Sequence, residues 1–259
     1  MQGQLPKLEV KLATTDQEIQ AAQRLRYEVF VTELGGGGAM VDHVNKLETD
    51  HYDRFYDHLI LVNTEKDTTE DGYVVGVYRL LPGARTQPAH RFYSENEYHL
   101  EILKNSGRNL LELGRSCLHA DYRGGMAMLL LWQGLSRYIF ENKIEILFGV
   151  ASFHGTDVTA LAQPLSLLHQ KFLAPPDLRV RAKQPNFESM NLVLPQDLDR
   201  PRAMVQLPAL IKSYLRIGGF VGEGAYVDHM FNTIDICMVL DLARMSDHQR
   251  NLYARGRPG

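Results

Sequence analysis

The stretch LLELGRSCLHADYRGGMAMLLLW, residues 110–132, limits the fold more than any other segment. An apolar run reads as a strand over 110–118. Two adjacent glycines break it before a helix over about 125–141. IEILFGVASF, 144–153, follows as a continuous apolar run, consistent with a buried strand. Strand, glycine turn, helix and strand in succession point to an α/β arrangement. The strand also carries Glu112, Arg115 and Ser116 inside its apolar frame, which an ordinary buried strand does not need.

The same alternation runs along the rest of the chain. LEVKLA, 8–13, alternates apolar and polar residues as a strand does, and Thr15 with Glu18 forms a capping-box pattern that opens a helix through residue 34. GGGG at 35–38 ends that helix and begins a long loop to about residue 57 that is dense in acids and aromatics. Such a loop inside a domain is more often functional than a short one. LILV at 59–62 and YVVGVYRLL at 73–81 read as two strands joined by a polar turn. A short helix over 94–107 capped by Ser94, and a helix over 158–173 containing Pro164, are expected next. Residues 174–206 read as an irregular excursion, followed by a helix ending at Gly218 or Gly219 and a last strand over 233–242. No linker is evident, so the reading is a single α/β domain over 1–259 with an insertion at about 174–206.

A formal net charge of -3 argues against a dedicated nucleic-acid binder. The two cysteines, Cys117 and Cys237, are far apart and in no metal-like spacing, so neither a disulfide framework nor a zinc site is expected. The N-terminus lacks a basic-then-apolar leader, and no apolar run approaches the roughly 18–20 residues of a membrane span. The expectation is a cytoplasmic protein without a bound metal.

Several constellations stand out against this background. If 110–118 is a regular strand, Glu112, Gly114 and Ser116 share one face while Leu113, Arg115 and Cys117 share the other. Gly114 marks a bulge or a close approach to the backbone. Arg79 sits in a strand of Val, Tyr and Leu, and a buried arginine needs partners; Asp50, Asp53 and Glu112 are the nearest supply of carboxylates in composition. DYRGGMA at 121–127 puts glycines and Arg123 at a helix start, where free amides favour a phosphate; an ordinary turn is the alternative. His154 and Asp228 lie at strand ends, and Cys117 reads as a small core residue.

RYEVF at 26–30, the Asp50–Asp53 pair, YRLLP and ELGR together resemble the signature of acyl-homoserine-lactone synthases, acyltransferases of the GNAT type. GGGG stands about where that family keeps a tryptophan. ELGRSCLHADYRGG, GVASFHGTD, LHQKFLAPPDLRVRA, LPALIKSYLRIGGFVGEGA and FNTIDICMVL are similar, over roughly 20–240, to the ornithine–acyl-carrier-protein N-acyltransferases, a related GNAT branch. The resemblance implies a GNAT-type fold, a central mixed twisted sheet flanked by helices. It also implies transfer of a 3-hydroxyacyl group from acyl carrier protein to the α-amine of ornithine, with the carrier's 4'-phosphopantetheine arm as donor and no permanently bound cofactor. A homoserine-lactone-type synthase and an inactive carrier-binding adaptor are the alternatives.

Attack of an amine on a thioester requires positioning, deprotonation and stabilisation of the oxyanion. Glu112 is the expected base, and the backbone at Gly114–Ser116 the oxyanion donor, which makes Ser116 the second catalytic position. Arg79 or Arg26 is expected to take the substrate carboxylate, and Asp50, Asp53 or Asp228 its side-chain ammonium, with Arg115 and His154 as further substrate-binding residues. These charges forming a network that only holds the loop is the other possibility. The GNAT turn ends here as Gly125-x-Ala127, with Tyr122 at its first position and Arg123 one residue later, so Arg123, Gly124, Gly125 and Ala127 are the expected phosphopantetheine contacts. Lys171, Arg179, Arg181 and Lys183 form the basic cluster expected to dock an acidic carrier protein. The apolar product suggests transient membrane contact, with the tail RNLYARGRPG as the expected point of attachment.

Overall fold

The computed structural model describes residues 6–68, 72–86, 91–124 and 126–249. In chain order the strands are β1 Leu8–Leu12, β2 Asp57–Asn63, β3 Val74–Pro82, β4 Tyr98–His99, β5 Leu110–Leu118, β6 Ile146–His154, β7 Arg181–Ala182, β8 Phe187–Glu188, β9 Phe220–Val221, β10 Ala225–Asp228 and β11 Thr233–Asp241. The helices are α1 Asp16–Arg26, α2 Glu101–Lys104, α3 Met126–Glu141, α4 Ala162–Phe172, α5 Arg200–Gln206 and α6 Ala209–Arg216. The chain divides into two compact units. Of the described residues, one holds those up to Leu81 together with Leu113–Asn142; the other holds Pro82–Glu112 and residues 143–249.

In the first unit the strand order is β1-β2-β3-β5. β1 pairs antiparallel with β2, and β2 with β3 in a register that sets His58 opposite Arg79. α1 starts at the expected capping box: the Thr15 hydroxyl accepts from the Glu18 amide while the Glu18 carboxylate accepts from Thr15. Its apolar face packs Ala22 and Leu25 onto Ile60, Val62, Val77 and Cys117. Cys117 is therefore a core residue, and burial pushes its thiol up to about 12. The expected single helix to residue 34 changes pitch on the way: Tyr27–Glu33 is a π-helix, a widened form that recurs at functional sites. α3 crosses β1 and β2 at Gly134, where a Cβ would lie 2.5 Å from the Val10 Cγ2. Only a residue without a side chain permits that approach.

In the second unit the order is β5-β6-β11-β10-β8, with β9 also on β11. Leu110–Glu112 run parallel to Ile146–Phe148, whereas β11 lies antiparallel along the whole of β6. The chain thus has the expected α/β architecture, a mixed sheet flanked by helices. Pro164 lies in the first turn of α4, where its missing amide costs no helical hydrogen bond, so it starts the helix rather than kinking it. α6 is closed by Gly218, φ +97°, just past its C-cap Ile217, with the Gly219 amide bonded back to the Tyr214 carbonyl. Arg108 clasps Asp241 with two bonds of 2.6 and 2.7 Å. The segment expected as one helix from Ser94 is a 3-10 turn, Tyr93–Asn96, then β4 and the short α2. α5 occupies the end of the stretch that reads as irregular in the sequence.

Candidate active site

The first unit gathers three arginines and three carboxylates. Arg26 ends α1, Arg79 lies midway along β3, and Arg115 lies in β5; the long loop after the π-helix delivers Glu48, Asp50 and Asp53 to them. Arg26 donates to Glu48 Oε2 at 2.5 Å, to the Glu48 carbonyl at 2.6 Å, and to Asp53 Oδ1 at 2.6 Å. Arg79 Nη1 donates to both Asp50 oxygens at 2.7 Å and to Asp53 Oδ1 at 2.9 Å, and its guanidinium lies 4.6 Å from the Tyr56 ring centre. Arg115 reaches Glu48 Oε1 at 3.0 Å and Asp50 Oδ2 at 3.6 Å. Gln23 and His58 complete the cradle, Gln23 donating to Asp53 Oδ2 and the His58 Nε2 lying 3.0 Å from the Asp53 carbonyl.

Electrostatics follow from this pairing. Burial alone would raise the Glu48 carboxyl, but the charges of Arg115, Arg26 and Arg79 overcome it and hold it at about 2. Asp53 is drawn below the usual carboxylate range in the same way, burial being outweighed by Arg26 and Arg79. Burial, aided by the nearby arginines, lowers His58 against the pull of the Asp53 carbonyl, so the imidazole stays neutral at neutral pH. Within the cluster Arg26 and Glu48 have 0% and 1% of their side chains exposed, whereas Asp50 and Arg115 keep 15% and 14%. The first two hold the loop; the last two are the ones solvent reaches. Glu48 does not stand out in the sequence, although three arginines in apolar frames call for a third carboxylate.

Arg115 has φ +49°. A non-glycine residue in the left-handed region breaks the period-two alternation, so the face assignment expected for 112–117 does not hold past this residue. Beside it, a Cβ on Gly114 would meet no atom within 4 Å, which leaves open space along the backbone.

In the second unit Glu112 is buried, and its two oxygens accept from the amides of Tyr93 and Ser94 at 2.8 and 2.7 Å. Ser94 therefore supplies a backbone donor to the carboxylate in place of the expected helix cap. The 3-10 turn that points these amides inward is braced by Phe92, edge-on to Phe148 at 4.9 Å. Asp228 lies with Glu97 and Asp235, one carboxylate oxygen of each within 4.8 Å of the others; Asp228 Oδ1 also accepts from the amides of Met230 and Phe231. Three carboxylates this close favour a cation between them. His154 is exposed, paired in register with Thr233.

At the start of α3, Gly124 has φ +77° and no atom within 4 Å of a built Cβ, so the turn leaves room for a ligand group. Arg123 donates to the Leu118 carbonyl and to Glu33, and Ala127 is buried. Gly125 lies outside the described residues. Of the expected docking cations, Lys171 is exposed at the end of α4. Arg179 donates to the Ala174 carbonyl, Arg181 pairs with Glu223 over the Phe187 ring, and Lys183 donates to the Glu95 carbonyl.

The acetyltransferase (GNAT) domain family matches residues 25–133. Among solved structures, the chain is similar to FeeM, an N-acyl amino acid synthase from uncultured soil microbes, with a TM-score of 0.53 at 12% identity, covering 95% of this chain and 98% of that one. BjaI, a CoA-dependent acyl-homoserine lactone synthase, gives 0.52 at 14% identity over 98% and 91%. Both likenesses concern the fold. In sequence, the L-ornithine N(alpha)-acyltransferase of Rhodobacter capsulatus is 55% identical over 95% of each chain, and that of Brucella abortus 38% identical over 97% of this chain and 90% of its own. A GNAT fold with one strand carrying Glu112 and Arg115, and identity of this degree over nearly the full length, give one conclusion: the chain belongs to the family of L-ornithine Nα-acyltransferases.

Proposed function

We propose that this protein transfers a 3-hydroxyacyl group from the phosphopantetheine thioester of acyl carrier protein to the α-amine of L-ornithine. The observation that carries the reading is Glu112, a carboxylate buried in a central strand and held by two backbone amides, in a chain with ornithine acyltransferase relatives along its length. The neutral α-amine attacks the thioester carbonyl carbon, and the carbonyl π electrons move onto oxygen. Glu112 takes the amine proton, directly or through one water, and the oxyanion is met by backbone amides at Gly114–Ser116. Collapse of the adduct forms the amide and breaks the C–S bond; the thiolate leaves on the carrier arm and is protonated. No acyl-enzyme forms, in keeping with the burial of both cysteines.

In this reading Arg115 and Asp50 are the members of the charged cluster that meet substrate, and Arg26, Arg79 and Asp53, with Glu48, position them. Asp228, with Glu97 and Asp235, is suited to the side-chain ammonium, and exposed His154 is a further polar contact. The turn at Arg123, Gly124, Gly125 and Ala127 suits the single phosphate of the carrier arm. Lys171, Arg179, Arg181 and Lys183 are the proposed carrier contacts. No helix among the described residues is long and apolar enough to cross a membrane. The acylated product partitions into bilayers by its chain, and we assign the enzyme a peripheral contact there.

Glu112→Gln tests the base. The substitution sets an amide NH2 against one of the two backbone donors, at a cost of about 1–3 kcal/mol, so activity is compared at equal folded fraction. Turnover is expected to fall by about 10²–10⁴ near neutral pH and to recover partly at high pH, as the amine deprotonates unaided. Unchanged turnover in the folded variant would remove Glu112 from the chemistry.

A further inference from the structure

We infer that the layer covering α4, residues 191–212, is a docking surface for an anionic lipid bilayer. This rests on the acyl-amide product proposed above, but its test does not. The segment 191–199 runs along α4. Ser166 Oγ accepts from the amides of Leu192 and Val193, Gln170 donates to the Val193 carbonyl, and the Asp199 amide donates to Gln163. α5 continues on the same helix, and Lys212 donates to the Val205 carbonyl, tying α6 to its end. The layer is thus held from below and does not depend on a partner for its shape.

Its outer side mixes polar residues with more large aliphatic side chains than the fold requires. Leu192, Leu194, Met204 and Val205 are all exposed, Leu194 to 61% and Val205 to 77%. Single exposed aliphatic residues are ordinary, but four large ones from one short layer are not. Arg200 and Arg202 stand among them, and neither guanidinium makes a hydrogen bond or ion pair among the described residues. Asp199, beside Arg200, is turned to its own helix, accepting from the Arg202 amide at 3.1 Å. Within residues 191–212 three Lys and Arg stand against two acids, Asp197 and Asp199. Exposed aliphatic side chains beside unpaired arginines match the interface of an anionic membrane, where the chains enter the headgroup boundary and the cations meet phosphate. A carrier protein would take the charge but has less use for the aliphatic surface. The expected contact through the tail 250–259 falls outside the described residues.

Full-length protein is sedimented with vesicles of phosphatidylcholine alone and of phosphatidylcholine with phosphatidylglycerol. Binding is expected only with the anionic lipid and is expected to weaken with salt. The double variants Leu194→Asp/Val205→Asp and Arg200→Glu/Arg202→Glu should each lower the partition constant on the order of tenfold or more, with melting and turnover of dispersed substrates unchanged. Absence of binding to anionic vesicles would overturn the inference, as would equal binding by the variants. Retained vesicle binding with loss of acyl carrier protein binding would reassign the surface to the carrier. Because turnover is measured separately, failure here is distinct from failure of the acyltransferase reading.

Discussion

Glu48 bridges Arg26 and Arg115 at 2.5 and 3.0 Å, and through them a residue of the loop is coupled to both α1 and β5. Removing its charge leaves two guanidinium groups in a buried place with less compensation, which is costlier than deleting a whole pair. Glu48→Gln is expected to destabilise the protein by about 3–5 kcal/mol and to raise the KM for ornithine, because Arg115 loses its orienting partner. Urea unfolding and steady-state kinetics check this; a variant with wild-type stability would show that the cluster is not what holds the loop. Much of the cluster is legible in the sequence: Arg26, Asp50, Asp53, Arg79 and Arg115 stand out as charges in apolar frames or in a motif. Glu48 and His58 do not. Glu48 is one of several acids in DHVNKLETDHYD, and nothing local separates an acid that turns inward from one that faces water. His58 is hidden because its importance lies in being opposite Arg79, a matter of strand register.

At the level of elements, β5 carries the most. Its strand character, the following glycine turn and α3 follow from apolar periodicity and turn residues, and the observed bounds agree to within a residue or two. The left-handed residue at Arg115 does not follow, because period-two reasoning assumes extended backbone throughout. The 3-10 turn at Tyr93–Asn96 likewise reads as a helix start, since serine before a run of acids is also a cap signal. A substitution at Gly114 separates the structural from the functional use of β5. No atom lies within 4 Å of a Cβ there, and valine suits a strand. Gly114→Val is therefore expected to melt within about 1 kcal/mol of wild type while kcat/KM falls at least about tenfold, corresponding to about 1.4 kcal/mol of lost transition-state stabilisation. Full activity would mean that the space beside Gly114 holds neither substrate nor oxyanion.

For the molecule as a whole, the buried charge cluster sets the response to acid. Glu48 has a folded-state pKa of about 2, below the 4.5 of a free side chain, and Asp53 is shifted the same way. A depressed carboxyl contributes stability that is present above its unfolded pKa and lost as pH falls through the folded value. For Glu48 this amounts to something on the order of 3 kcal/mol. Stability measured by urea unfolding should therefore decline as pH drops from about 4.5 toward 2, and the decline should be shallower in Glu48→Gln; a profile identical in the two proteins would contradict the assignment. Acyl transfer to the α-nitrogen is what the whole fold is held to serve, and it is open to direct measurement. Purified protein is incubated with 3-hydroxyacyl carrier protein and L-ornithine, and both products are followed by mass spectrometry with fragmentation. The expected result is ornithine acylated on its α-nitrogen, formed in equal amount with free carrier thiol. Folded protein that yields no acylated ornithine, or places the acyl group on the side-chain amine, would contradict the account.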